Sequence, residues 1–281
     1  MKFSQANADV YVAHHESVAD ALKKLTHLCV AAHQDDIEIM AYAGIAECRR
    51  RAGAAFGGVV VTNGSGSPRT GQYAALTDEQ MQAVRREEQR KAAQIGGYAV
   101  QLQLAHPSSQ VKKKNEESVV ADLKQIFSAS RPEVLYLHQP ADKHDTHVAV
   151  LMRCLESLRA LPVAQRPARV LGCEVWRDLD WLIDADKVAL DASDDPKLAL
   201  DLLNVFDSQI SGGKRYDLAT MGRRSANATF HTSHATDRMN GITWSIDLTP
   251  LIRDDGLSVE TFIAAHIDRL REDVLKRVRS F

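Results

Sequence analysis

Two short clusters combine residue types that can hold a metal ion and move a proton: His33-Gln34-Asp35-Asp36 and His144-Asp145-Thr146-His147. Each follows an apolar run that reads as a buried strand. Leu28-Cys29-Val30-Ala31-Ala32 leads into the first, and Val134-Leu135-Tyr136-Leu137-His138 leads toward the second. Parallel strands of an α/β sheet end on one edge, where such folds bind ligands. Two strands of this kind would bring both clusters to one point. His33 and Asp36 lie three apart at a strand-to-helix turn, and His147 offers a third donor from the second strand end. Two imidazoles and one carboxylate suit Zn2+, or another divalent metal, and leave a coordination position for water. Such an ion lowers the pKa of bound water toward ~7. Asp35 lies beside the ligands and is free to act as general base. His144, one helical turn before His147, can stabilise a tetrahedral oxyanion or protonate a leaving amine.

Each piece alone has an ordinary use. A histidine after a strand commonly satisfies a core or surface hydrogen bond, and an Asp pair commonly caps a helix. The conjunction carries weight because both clusters follow strands in one alternating pattern. Strands are expected at about 25–32, 56–62, 100–104 and 134–138, and helices at about 8–24, 37–51, 77–94, 116–129 and 146–160. Alternation of this kind predicts a Rossmann-like, mostly parallel sheet flanked by helices. Beyond about residue 165 the pattern is less regular, with strands near 170–176 and 242–248, helices near 196–208 and from Ser258 onward, and a loop-rich segment over 211–237. The expectation is one domain over 1–281, with a core at about 25–165 and a C-terminal loop-rich elaboration at about 166–281.

Composition limits the classes. The 281 residues carry a net charge of −2, which gives no general attraction to nucleic acid or an anionic membrane. No run approaches the ~20 apolar residues of a membrane span, and the N-terminal residues show no apolar signal core. The chain reads as cytoplasmic. The four cysteines, Cys29, Cys48, Cys154 and Cys173, form no CxxC pair and read as reduced thiols.

Ala32-His33-Gln34-Asp35-Asp36 resembles the AHPDD motif of the PIG-L/LmbE family of zinc-dependent N-deacetylases, and His144-Asp145-Thr146-His147 resembles that family's HPDH motif. Arg85-Arg86-Glu87-Glu88, followed by Ala92-Ala93 and Gly96, is similar to a third family segment, and Asp207-Ser208-Gln209 echoes one ending in Ser-Gln. The resemblance covers roughly residues 25–160. It implies hydrolysis of an N-acetyl group, usually on a glucosamine unit of a glycoside or glycoconjugate. It implies His33, Asp36 and His147 as zinc ligands, Asp35 as general base, His144 at the oxyanion and Arg85 against substrate. It also points toward a homo-oligomer. The chain departs from the pattern in three places: Gln34 stands for Pro, Glu38 comes one position after the usual Glu, and Asp145-Thr146 replaces Pro-Asp.

The loop 63–67 lacks the Lys-Ser/Thr of a P-loop and does not fit GxGxxG. It reads as a flexible loop or, with Arg69 at its end, as a substrate-contacting one. Lys214, Arg215, Arg223 and Arg224 read as solvated surface or as recognition of an anionic substrate group. The leading expectation is removal of acetyl from a small N-acetylated sugar. Two alternatives stay open: a zinc hydrolase of another amide or an ester, and a non-catalytic sugar- or nucleotide-binding α/β module.

Overall fold

The computed structural model describes residues 1–281, His15 by its backbone alone. In chain order the strands are β1 (Asp9–Val12), β2 (His27–Ala31), β3 (Phe56–Thr62), β4 (Val100–His106), β5 (Val134–His138), β6 (Arg169–Cys173), β7 (Lys187–Asp191) and β8 (Ile242–Asp247). The helices are α1 (Val18–Lys23), α2 (Asp36–Met40), α3 (Tyr42–Arg50), α4 (Asp78–Gly96), α5 (Ser108–Val111), α6 (Glu117–Ala129), α7 (Asp145–Arg159), α8 (Pro196–Asn204), α9 (Asp207–Ile210), α10 (Tyr216–Phe230), α11 (Thr249–Arg253) and α12 (Val259–Val278).

The strands form one sheet in the order β1-β4-β3-β2-β5-β6-β8-β7. Strands β4, β3, β2, β5 and β6 run parallel. β1, β8 and β7 add antiparallel flanks. Side chains alternate between the two faces, as pleating requires. Leu28 and Val30 of β2 join one hydrophobic cluster with α6 and α7, whereas Cys29 and Ala31 join a second with α2, α3 and α8. Both faces are therefore covered, which explains why the central strands read as continuous apolar runs. The order places β2 beside β5 at the centre, so the two motif-bearing strand ends are neighbours.

The reading of the core elements is close, and four differences stand out. Residues 8–24 hold β1, a 3-10 turn and α1, not one helix. Ser17 caps α1, accepting the Asp20 N–H at 3.1 Å. The helix expected over 37–51 breaks at Ala41 (φ −116°, ψ 18°) into α2 and α3. Arg224 takes up the carbonyls of Glu38 and Ile39 at 2.8 and 3.0 Å, which ends α2. Strand β7 was not anticipated. Lastly, the segment expected as loop contains the fifteen-residue helix α10. Its buried positions are Asp217, Thr220, Arg224 and Ala228, so it shows no apolar stripe to mark it in the sequence.

All four cysteines are free thiols, and three are buried. Only Phe262 of α12 is buried, leaving much of that helix in solvent. Among the described residues no helix is long and apolar enough to cross a membrane.

Candidate functional site

The turn between β2 and α2 puts His33, Asp35 and Asp36 at the sheet's C-terminal edge. Asp35 adopts φ 81°, ψ −31°, outside the regions an L-residue favours. Such backbone strain clusters where the surroundings fix a residue for a purpose. Gly64, in the loop after β3, packs against this turn. It has φ +72°, and a Cβ there would meet Gln34 Oε1 at 2.6 Å, so only glycine fits.

Three donor atoms converge. His33 Nδ1 lies 3.3 Å from Asp36 Oδ2 and 3.2 Å from His147 Nε2, and His147 Nε2 lies 3.3 Å from Asp36 Oδ2. A tetrahedral ion with bonds of about 2.0–2.1 Å holds its ligands about 3.3–3.4 Å apart, so these separations suit one. The surrounding groups orient the donors. His147 Nδ1 faces Asp142 Oδ2 at 3.4 Å, which leaves the Nε2 lone pair free. Asp142 also accepts the N–H groups of His144 (2.9 Å) and Trp176 (3.2 Å). His138 stacks on His147 with ring centroids 3.9 Å apart. It too comes within donor distance of Asp36 and His147, as His144 does of His33 and His147. However, His138 Nε2 already accepts the Ala32 N–H at 2.9 Å, so that lone pair is taken.

Asp35 is buried beside these atoms. Its Oδ2 lies 3.4 Å from the Arg85 guanidinium, and its N–H donates to Gln89 Oε1. Burial pushes the Asp35 carboxyl up to about 7, with Arg85 pulling it down and Asp36 pushing it further up. Burial likewise raises Asp36 to about 7 and Glu38 to about 8, and lowers His33 to about 4. His138 and His147 are pushed well below the usual imidazole value by the same cause. Without a cation, then, the site disfavours charge on every one of these groups.

The groups open into a cavity of about 550 Å³, bordered by His33, Asp35, Asp36, Arg85 and His144 and walled on the far side by α10. His147 is fully buried behind them. Arg69 differs from expectation. Its guanidinium is tied to Leu76 O, Ser65 O and Asp78, so it braces the loop, and it is not among the residues that border the cavity. The third motif divides its work. Arg85 donates to Gln34 O, while Glu88 accepts the N–H and hydroxyl of Ser208 at 2.7 and 2.6 Å, tying α4 to the Ser-Gln segment. Gln34 bonds Gln103 at 3.1 Å, away from the donors. Glu38 accepts from Gln89 and Tyr98. Sequence reasoning missed Asp142, His138 and Glu174, which all border or brace the site. Asp142, two residues before His144, was the one a sequence signal could have found.

Residues 28–155 match the family model described as PIG-L: GlcNAc-PI de-N-acetylase. No curated protein matches the chain. Among solved structures, GalB, the 4-carboxy-2-hydroxymuconate hydratase from Pseudomonas putida KT2440, is 17% identical. It has a TM-score of 0.58 and covers 80% of this chain and 96% of its own. The N,N'-diacetylchitobiose deacetylase from Pyrococcus horikoshii is 18% identical, TM-score 0.58, over 78% of this chain and 82% of its own. The A40926 pseudoaglycone deacetylase Dbv21 is 13% identical, TM-score 0.58, over 80% and 97%. At these identities the likeness is one of fold.

Proposed function

We propose that the protein is a metal-dependent amide hydrolase that removes the N-acetyl group from a small N-acetylated amino sugar. The observation that carries this reading is the triangle of His33 Nδ1, Asp36 Oδ2 and His147 Nε2, with edges of 3.2–3.3 Å, beside the buried carboxyl of Asp35. These three residues would hold Zn2+ or another divalent ion. When bound, the ion supplies Lewis acidity and a water of lowered pKa. Asp35 accepts the proton of the attacking water, and Arg85 holds its carboxyl in place. Thr146 donates its N–H to His144 Nδ1 at 3.3 Å, so the neutral ring carries its proton on Nε2. Burial lowers the His144 pKa and keeps this neutral form. Its Nε2–H is then a donor for the developing oxyanion. A cavity of about 550 Å³ has the size of a small-molecule site.

A second reading is water addition to an acidic substrate, as the name of GalB describes for that protein. Lys143, Lys214 and Arg223 border the cavity without a carboxylate partner among the described residues, which favours an anion. Metal analysis combined with acetate release from a panel of N-acetylglucosamine derivatives separates the two. About one ion per chain with acetate release is expected. Metal without acetate would shift the reading to another amide, an ester or the hydratase chemistry, and sugar binding with neither would leave a binding module. Asp35→Ala should lower kcat by about 10²–10⁴ while metal content stays unchanged. Undiminished turnover in that variant would remove Asp35 from the mechanism.

A further inference from the structure

Three side chains bordering the cavity, and playing no part in the hydrolysis above, share an unusual state. Glu174 follows the end of β6, Thr243 lies on β8 and Arg224 on α10, and all three border the same cavity. They are 2%, 2% and 3% exposed. Each has one polar atom without a hydrogen-bond partner among the described residues: Glu174 Oε2, Thr243 Oγ1 and Arg224 Nε. The rest of each group is fixed. Glu174 Oε1 accepts from Asn227 Nδ2 at 2.6 Å and from the Trp244 N–H at 3.0 Å. The Glu174 N–H donates back to Trp244 O at 3.2 Å, which joins the β6 end to β8 beside Thr243. Arg224 spends its terminal nitrogen on Glu38 and Ile39 carbonyls and stacks on Tyr42 at 4.8 Å. Buried polar atoms are almost always paired, so three orphans on one cavity wall mark a place where a partner arrives.

The kinds of atom define that partner. A carboxylate oxygen accepts, a guanidinium Nε–H donates and a hydroxyl does both. A carboxylate ligand is acceptor-only, so it brings no donor to the Glu174 oxygen and meets like charge whenever that carboxyl is ionised. An ammonium is donor-only and would face the Arg224 cation. A neutral hydroxyl donates to the first and accepts from the second. Resting on the amino-sugar reading above, we propose that Glu174, Thr243 and Arg224 form a subsite that reads a hydroxyl group of the sugar. The subsite selects polyhydroxylated substrates over the carboxylated ones that the second reading would favour.

The test uses the metal-loaded full chain with N-acetylglucosamine and its 3-, 4- and 6-deoxy analogues, measured by calorimetry, for wild type, Glu174→Gln and the isosteric Thr243→Val. Wild type should bind the parent at least about ten-fold more tightly than one deoxy analogue, and each variant should shrink that ratio to under about three-fold. Metal content should match wild type in both variants, and Thr243→Val keeps the test valid if Glu174→Gln folds poorly. Equal wild-type affinity for all four sugars, no sugar binding, or ratios unchanged in Thr243→Val would overturn the subsite. Acetate release is scored separately. Discriminating binding without acetate would sink the hydrolase reading and leave the subsite, whereas acetate release with unchanged ratios would do the reverse.

Discussion

At Glu174 burial and hydrogen bonding pull in opposite directions, and the balance is measurable. Burial pushes its carboxyl up to about 7, against the Trp244 N–H, the Arg223 guanidinium and the Asn227 amide. The folded chain thus keeps this proton at pH values where the unfolded chain, with an ordinary value of 4.5, has lost it. The sign follows from proton linkage. The acid form's contribution to stability is fully present below pH 4.5 and is lost as pH rises through about 7. Glu174→Gln fixes the side chain in an uncharged form and removes that loss. Between pH 6 and 8.5 the wild type should therefore lose about 1 kcal/mol relative to the variant, read from urea unfolding midpoints. Parallel pH profiles for the two proteins would mean that the folded state does not hold the proton.

Elements bring to one point what the chain keeps apart, and here the sequence was readable unevenly. The motifs at His33 and His144, the parallel strands before them and the helix that became α4 were all visible, because each obeys a local rule of period or position. The polar inner face of α10 was not, because a helix that walls a polar cavity buries Asp217, Thr220 and Arg224 in place of an apolar stripe. The partners of Arg69 were hidden for a related reason. Sequence shows a cation at a loop end, not the two carbonyls and the carboxylate that consume it. Asp142 also works at this scale. From the β5–α7 connection it holds the N–H of Trp176 beyond β6 and the ring of His147 on α7. Asp142→Ala should weaken metal affinity by about 10–100-fold, because a carboxylate behind a histidine ligand fixes ring and tautomer. Chelator competition measures this, and an unchanged affinity would remove Asp142 from the metal's support.

Over the whole molecule, the proposed ligands straddle the sheet's centre. His33 and Asp36 follow β2, His147 lies on the helix after β5, and these strands are hydrogen-bonded neighbours. An ion held by all three joins the two central strand ends and binds only when both βα turns are formed. Its binding free energy therefore adds to folding stability. At a free metal concentration one hundred times Kd the gain is about 2.7 kcal/mol. For a chain of this size that corresponds to a rise in Tm of about 4–6 °C over the chelator-treated protein. The rise should vanish in His147→Ala, which leaves His33 and Asp36 in place but opens the triangle. A rise of equal size in His147→Ala would show that the ion stabilises the fold from somewhere else, and the triangle would lose its assignment as the metal site.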